Sequence, residues 1–267
     1  MAEFQIISDL HLEAPAGYDV FEIAPKAPYL ALLGDIGNFK DDGFLLFLEK
    51  QLWNFRLVFF VSGNHEPYYS SWQQTEETLG KFTEEMNKKA QAEPRLGTFV
   101  VLDRTRYDVS SSVTVLGCTL FSQVTEPQFD HVSFGLNDFY RIRDWDIEQH
   151  CAEHKTELAW LNEQVALIAR SDPLRKIVIF THYSPSLEEA ATDPKHMRSP
   201  HSSGFCTDLS KEECFTNPQV RLWAFGHTHF NCDFKDPVTG KRLLTNQRGY
   251  YFAQSEGFEP EKVVTVG

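Results

Sequence analysis

The run Leu57-Val58-Phe59-Phe60-Val61-Ser62-Gly63-Asn64-His65-Glu66 decides the fold. Five consecutive apolar residues, β-branched or bulky, break off at a glycine set among polar side chains. A strand apolar on both faces belongs inside a parallel sheet, and its polar residues then lie at the carboxyl end, where α/β proteins keep their chemistry. The figure recurs four times. Residues 4–8 run into Asp9, Leu10 and His11; 29–33 into Gly34 and Asp35; 177–181 into His182; and 222–225 into Gly226, His227, Thr228 and His229.

The connections between these strands read as helices and loops. Asp41 and Asp42 are placed to cap a helix carrying Phe44, Leu45, Leu48 and Leu52 at helical spacing. The resulting strand, helix, strand order is a right-handed crossover and predicts parallel pairing. A longer helix is expected from Ser70 or Ser71 to about Gln91, with Leu79, Phe82 and Met86 inward, and another over 149–170 with Leu158, Leu161, Val165 and Ile168 inward. The segments 98–102 and 113–119 read as the start of a second sheet. Strands are expected at 230–235, 242–246 and 262–266, with a turn over 236–240. Residues 185–204 are rich in Pro, Ser and His, and so long a loop beside a strand end is expected to be functional.

At 267 residues, 42% hydrophobic and 24% charged, the chain can bury a large core, and one α/β domain over 1–267 suffices. Lys and Arg number 25 against 38 Asp and Glu, a net charge of −13. So acidic a surface, without a basic patch, repels a phosphate backbone and argues against duplex nucleic acid as a partner. Five cysteines without close pairing fit a reducing environment. Met1 leads almost directly into a strand with no signal-like segment, and no apolar run approaches the ~20 residues that span a bilayer. A cytoplasmic protein with no membrane association is expected.

Taken singly, each polar strand end has an ordinary explanation, such as a helix cap or a satisfied surface histidine. Together they converge. Residues i and i+2 of a strand point to one side, so Asp9 with His11, and His227 with His229, are each expected to present two donors toward one point. Imidazole and carboxylate donors without cysteine suit manganese, zinc or iron. Seven donors exceed the needs of one tetrahedral ion, and two ions sharing a carboxylate accommodate them. Two divalent ions bring roughly +4 against about −3 from Asp9, Asp35 and a hydroxide, and a centre near +1 attracts a phosphoryl oxygen.

The ordered set Asp9-x-His11, Gly34-Asp35, Gly63-Asn64-His65-Glu66, His182 and Gly226-His227-Thr228-His229 resembles the calcineurin-like metallophosphoesterase family across nearly the whole chain. The resemblance implies a four-layer α/β/β/α sandwich of two mixed sheets flanked by helices. It implies Asp9, His11 and His229 on a first metal, Asn64, His182 and His227 on a second, and Asp35 bridging. His65 would contact the phosphate and protonate the leaving group, with Asn64 also near the substrate, and Glu66 would orient the loop or a ligand. The implied reaction is attack of a metal-bound hydroxide on a phosphomonoester or phosphodiester, a small molecule or nucleotide. Class III cyclic-nucleotide phosphodiesterases share the ligand set, so that activity stays open. A non-catalytic interaction protein on the same fold, like the retromer subunit, is the alternative of another class, and the intact His65 argues against it.

The segments 137–143, 181–185, 202–209 and 245–250 are similar to a subgroup of small bacterial and fungal phosphoesterases, in which proline commonly stands at the place of Gln247. Asn246, Arg248 and Gly249 there form either a turn near the site, with Arg248 toward substrate, or a turn that only closes the sheet. The arginine that protein phosphatases carry shortly after the bridging aspartate is missing from Asp35-Ile36-Gly37-Asn38-Phe39, which ranks phosphoproteins low as substrates. Without a cap domain, substrate selection falls to loops 184–205 and 121–140.

Overall fold

The computed structural model describes residues 1–267. The chain runs β1 (Ala2–Ile7), β2 (Tyr29–Leu33), α1 (Asp42–Asn54), β3 (Leu57–Val61), α2 (Trp72–Ala92), β4 (Thr98–Val101), β5 (Thr105–Asp108) and β6 (Val113–Gly117). It continues through α3 (Phe129–Gly135), α4 (Asp138–Arg141), α5 (Ile147–Ser171), β7 (Lys176–Phe180), α6 (Glu213–Thr216) and β8 (Val220–Phe225). Five short strands complete it: β9 (Asp233–Lys235), β10 (Arg242–Thr245), β11 (Gly249–Tyr250), β12 (Ala253–Gln254) and β13 (Val263–Val266). One sheet has the order β13-β1-β2-β3-β4, parallel except for β13; the other is β5-β6-β7-β8-β10-β9, with antiparallel edges at β5 and β9. Both sheets are therefore mixed, as the resemblance implied.

Alternation within each central strand explains the four layers. In β3, Val58 and Phe60 pack toward α1 and α2, while Phe59 and Val61 enter the core between the sheets. In β7 and β8, Val178, Phe180, Leu222 and Ala224 face that same inner core, and Ile177, Ile179, Trp223 and Phe225 face α5 and α6. Strands apolar on both faces are thus sandwiched on both faces. Phe59 is fully buried, its ring 5.4 Å from Tyr107, 6.1 Å from Phe4 and 6.3 Å from Phe180.

Several local expectations are corrected. Residues 98–101 do not begin the second sheet; they pair parallel with β3 and end the first, and the second starts at β5. Asp41 stands at the N-cap of α1, but its carboxylate accepts from the Tyr18 hydroxyl at 2.8 Å and not from the helix. Residues 230–232 do not pair as strand. The Cys232 N–H goes to the Thr245 hydroxyl instead, so β9 starts only at Asp233.

After Ile147, the inward stripe of α5 continues through His150, His154 and Glu157 before the expected apolar residues. These three polar side chains hold a turn whose backbone is left-handed at Leu120 (φ 76°) and Phe121 (φ 47°). His154 donates from Nδ1 to the Leu120 carbonyl at 2.8 Å, Glu157 accepts the Leu120 N–H, and His150 Nε2 accepts the Ser122 N–H at 3.0 Å. Phe121, so placed, packs against Tyr183 just beyond β7. Burial, reinforced by Asp103, pushes the Glu157 carboxyl up to about 8.

Two outcomes follow for stability. Phe59→Ala is expected to lower the unfolding free energy by about 3–5 kcal/mol, read from urea denaturation, whereas Leu46→Ala at a 68% exposed position changes it by less than about 0.5 kcal/mol. Because Glu157 ionises more readily unfolded, near 4.5, than folded, near 8, its protonated form stabilises fully below the lower value. That contribution is lost as pH rises through the upper one. Across this window Glu157→Gln is expected to gain stability relative to wild type, and a pH-independent difference between the two would reject the buried neutral acid.

Candidate metal centre

The carboxyl ends of β1, β2 and β3 from one sheet meet those of β7 and β8 from the other. Asp9 (φ 51°), His11 (φ 46°), Asp35 (φ 53°), His227 (φ 69°) and His229 (φ 51°) all lie just past strand ends in the left-handed region. The pairs at i and i+2 therefore converge through tight turns and not, as expected, through strand alternation. Such backbone costs about 1–3 kcal/mol per non-glycine residue and persists only where surroundings enforce it. Here the loops bind one another: Asp9 N–H to the Gly34 carbonyl at 3.0 Å, His11 N–H to the Asp35 carbonyl at 2.9 Å, and Gly226 N–H to the His182 carbonyl at 2.9 Å. Glycine is required where they touch. A Cβ on Gly34 would overlap the His182 ring, one on Gly63 the Asp35 carboxylate, and one on Gly226 the Ser8 hydroxyl.

Three groups of metal-competent donors result, of which one, His11 with Glu13 and His65, shares His11 with the first of the two described next. Asp9, His11 and His229 form the first, with His229 Nε2 3.4 Å from Asp9 Oδ1 and 2.9 Å from His11 Nε2. Asp35, His182 and His227 form the second, with His182 Nε2 3.5 Å from Asp35 Oδ1 and 3.1 Å from Asn64 Oδ1. The other Asp35 oxygen is 3.9 Å from His11 Nε2, so this carboxylate lies between the clusters. Separations of this size are the edges of a polyhedron with metal–donor distances of about 2.1 Å.

Hydrogen bonds decide which atoms face inward. His182 donates from Nδ1 to the Leu33 carbonyl at 2.8 Å, which leaves Nε2 as the ligating atom. Asn64 donates its amide N–H to Asp138 at 2.8 Å, turning its oxygen toward His182. His227 Nε2 is buried with no hydrogen-bond partner, and burial beside His182 keeps this imidazole well below its usual pKa. A buried, neutral, unpartnered nitrogen among carboxylates is what a metal ligand requires. Burial opposes ionisation of Asp35, but His182 and His65 outweigh it and hold the carboxyl well below its usual range.

Glu66 is not a donor to either cluster. Its carboxylate accepts the backbone N–H groups of Gly63 (2.7 Å), Ile36 (2.8 Å) and Asp35 (3.0 Å), binding two site loops together. His65 lies beside the clusters, Nε2 3.9 Å from Asp35 and 3.2 Å from the Tyr250 hydroxyl. Burial works to lower its pKa, but the Asp35 and Glu13 carboxylates raise it to about 9. Arg248 stands elsewhere: its guanidinium donates to the Leu10 carbonyl at 3.0 Å and lies over the Phe21 ring, away from the cavity lining. Asn246 binds the carbonyls of Ile6 and Glu259 and closes the sheet. Gln247, at the position of the subgroup's proline, accepts the His229 N–H at 2.6 Å.

A cavity of about 490 Å³ opens over the centre, walled by residues 135–138 and 191–206 together with Tyr68, Thr228 and Tyr250. Both loops named for substrate selection contribute. Glu13, Asp138, Tyr68 and Tyr250 escaped the sequence reading as site residues. Glu13 repeats the two-residue spacing of Asp9 and His11, a signal that was present. Asp138 reaches Asn64 and Tyr68 across more than sixty residues, and nothing local announces it.

Comparison with known proteins identifies the fold and the family. A curated relative, an uncharacterized protein of Acanthamoeba polyphaga mimivirus, is 27% identical over all of this chain and 97% of its own length. Two solved structures share the fold at 15% identity. A phosphopantetheinyl hydrolase from Mycobacterium tuberculosis has a TM-score of 0.66, with 93% of this chain and 90% of that one covered. A dimetal phosphatase from Danio rerio has a TM-score of 0.56, with 93% and 88% covered. No helix is long and apolar enough to cross a membrane. The family model for calcineurin-like phosphoesterases matches residues 4–231, and the chain belongs to that binuclear-metal-dependent family of phosphoester hydrolases.

Proposed function

We propose that the chain, acting as one domain over 1–267, hydrolyses a small phosphorylated substrate, a monoester or diester of small-molecule or nucleotide character. The convergence of seven donors beneath the 490 Å³ cavity, with His227 Nε2 left unpartnered, carries this reading. Asp9, His11 and His229 hold one ion, Asn64, His182 and His227 a second, and Asp35 serves both. Two divalent ions, manganese, zinc or iron, supply when bound an activated water and positive charge for the phosphoryl oxygens.

The chain's own residues do the rest. His65, with Nε2 on the cavity side, gives a proton to the leaving oxygen. Asn64, fixed by Asp138, keeps its oxygen on the second ion, and Glu66 keeps the loops bearing Asp35 and Asn64 in register. The walls at 135–138 and 191–206 receive the alcohol portion and exclude water. No lysine or arginine lines the cavity, and Arg141 and Arg143 turn to Tyr68 and Gln74. A second anionic group would find no permanent cation there, which favours esters with a single phosphoryl group.

Chelation is expected to abolish turnover and added manganese to restore it. Asp35→Asn should lower both metal occupancy, read by mass spectrometry, and rate; full activity would reject its bridging position. His65→Ala should lower kcat by about 10²–10⁴-fold with metal content unchanged, and an unaltered kcat would remove His65 from the reaction. With manganese present, the rates on para-nitrophenyl phosphate and its bis ester separate monoesterase from diesterase, and cyclic nucleotides need a separate assay.

A further inference from the structure

Glu66 organises the backbone of the site, and a different carboxylate organises its rings. Glu13 Oε1 lies 2.8 Å from His65 Nδ1 and 3.2 Å from His11 Nδ1. Its side chain is only 16% exposed and does not line the cavity. The two imidazoles meet edge to face with centroids 4.4 Å apart, and each is flanked by a tyrosine, His11 by Tyr250 and His65 by Tyr68. Stacking alone leaves a ring free to turn over by half a turn, exchanging which nitrogen faces the cavity. A carboxylate can only accept, so both rings must present Nδ1–H to Glu13 and Nε2 to the centre.

We infer that Glu13 is a positioning residue shared by the two functions of the centre, setting through one oxygen the orientation of a metal ligand, His11, and of the proton donor, His65. Its effect on turnover rests on the role proposed above for His65; its effect on His11 does not. Loss of a carboxylate behind a ligating histidine typically costs 10–100-fold in metal affinity or activity. A single carbonyl oxygen has two lone pairs and can replace Glu13 Oε1 geometrically, so Glu13→Gln should preserve much of what Glu13→Ala loses.

The test joins binding and kinetics. Manganese titration of the metal-stripped protein, with no substrate, is expected to show one of two sites weakened about 10–100-fold in Glu13→Ala, and less in Glu13→Gln. At saturating manganese Glu13→Ala should lower kcat about 10–100-fold with KM little changed. The same substitution placed in His65→Ala should add almost nothing. Unchanged manganese affinity would overturn the link to His11, and wild-type kcat or multiplicative losses in the double variant the link to His65. If His65→Ala itself keeps full kcat, the proposed reaction fails while the manganese titration still decides the inference about His11. Glu13→Gln, which conserves size and acceptor, provides the folded control: its thermal unfolding should match wild type, and losses as large as those of Glu13→Ala would reject orientation as the mechanism.

Discussion

The two sheets are tied to one another at the site by its own donor residues. Asp9, at the end of β1, accepts the His227 N–H of the opposite sheet at 3.1 Å, and His182, at the end of β7, donates to the Leu33 carbonyl of β2 at 2.8 Å. Both bonds are buried, and the one to the Asp9 carboxylate is charge-assisted, contributing roughly 1.5–3 kcal/mol, with an unmade one costing about as much. The same atoms that close the sandwich thereby fix the separation of the donor clusters. The bonds that join the two sheets and those that set the centre are thus in part the same.

That seam explains the concentration of left-handed backbone. Two sheets packed face to face lie about 10 Å apart, and a chain leaving a strand in extended form would travel away from the seam. A left-handed residue immediately past the strand turns the chain back on itself, which brings Asp9, His11, Asp35, His227 and His229 over the join. The cost is offset by the bonds between loops and by the close approach that Gly34, Gly63 and Gly226 permit. Metal binding would add to the same balance, because an ion that binds only the folded arrangement stabilises it.

Charge is distributed to suit the reaction. The chain is acidic overall, yet the seven donors of the centre are four histidines, one asparagine and only two carboxylates, so two divalent cations would leave it locally positive. Glu13, off the cavity lining, contacts His11 and His65, and Asp138, in the cavity wall, holds Asn64. Specificity is then left to largely polar walls, with Asp138, Asp193, His196 and His201 but no lysine or arginine, carried on loops.

The sequence by itself determined the central strands and offered the seven donors at their ends, but not the short strands β5, β11 and β12. Short continuous apolar runs such as 57–61 fit doubly covered strands, and a glycine followed by Asp, Asn or His marks three of the five strand ends, at Gly34, Gly63 and Gly226. The helices at 42–54, 72–92 and 147–171 were legible from periodicity, though α5 hid three polar residues in its inward stripe because a tertiary partner, the left-handed turn at Leu120, was needed to make sense of them. Only the tertiary structure decided that 98–101 closes the first sheet, that the donor pairs converge by turns, and that Arg248 faces Leu10 and not the cavity. It alone joined Glu13 to His65 across fifty-two residues and Asp138 to Asn64 across seventy-four. The reason is physical: periodicity and turn chemistry act between neighbours in the chain, whereas the partner of a buried polar group is chosen by which distant atom shares its water-free space.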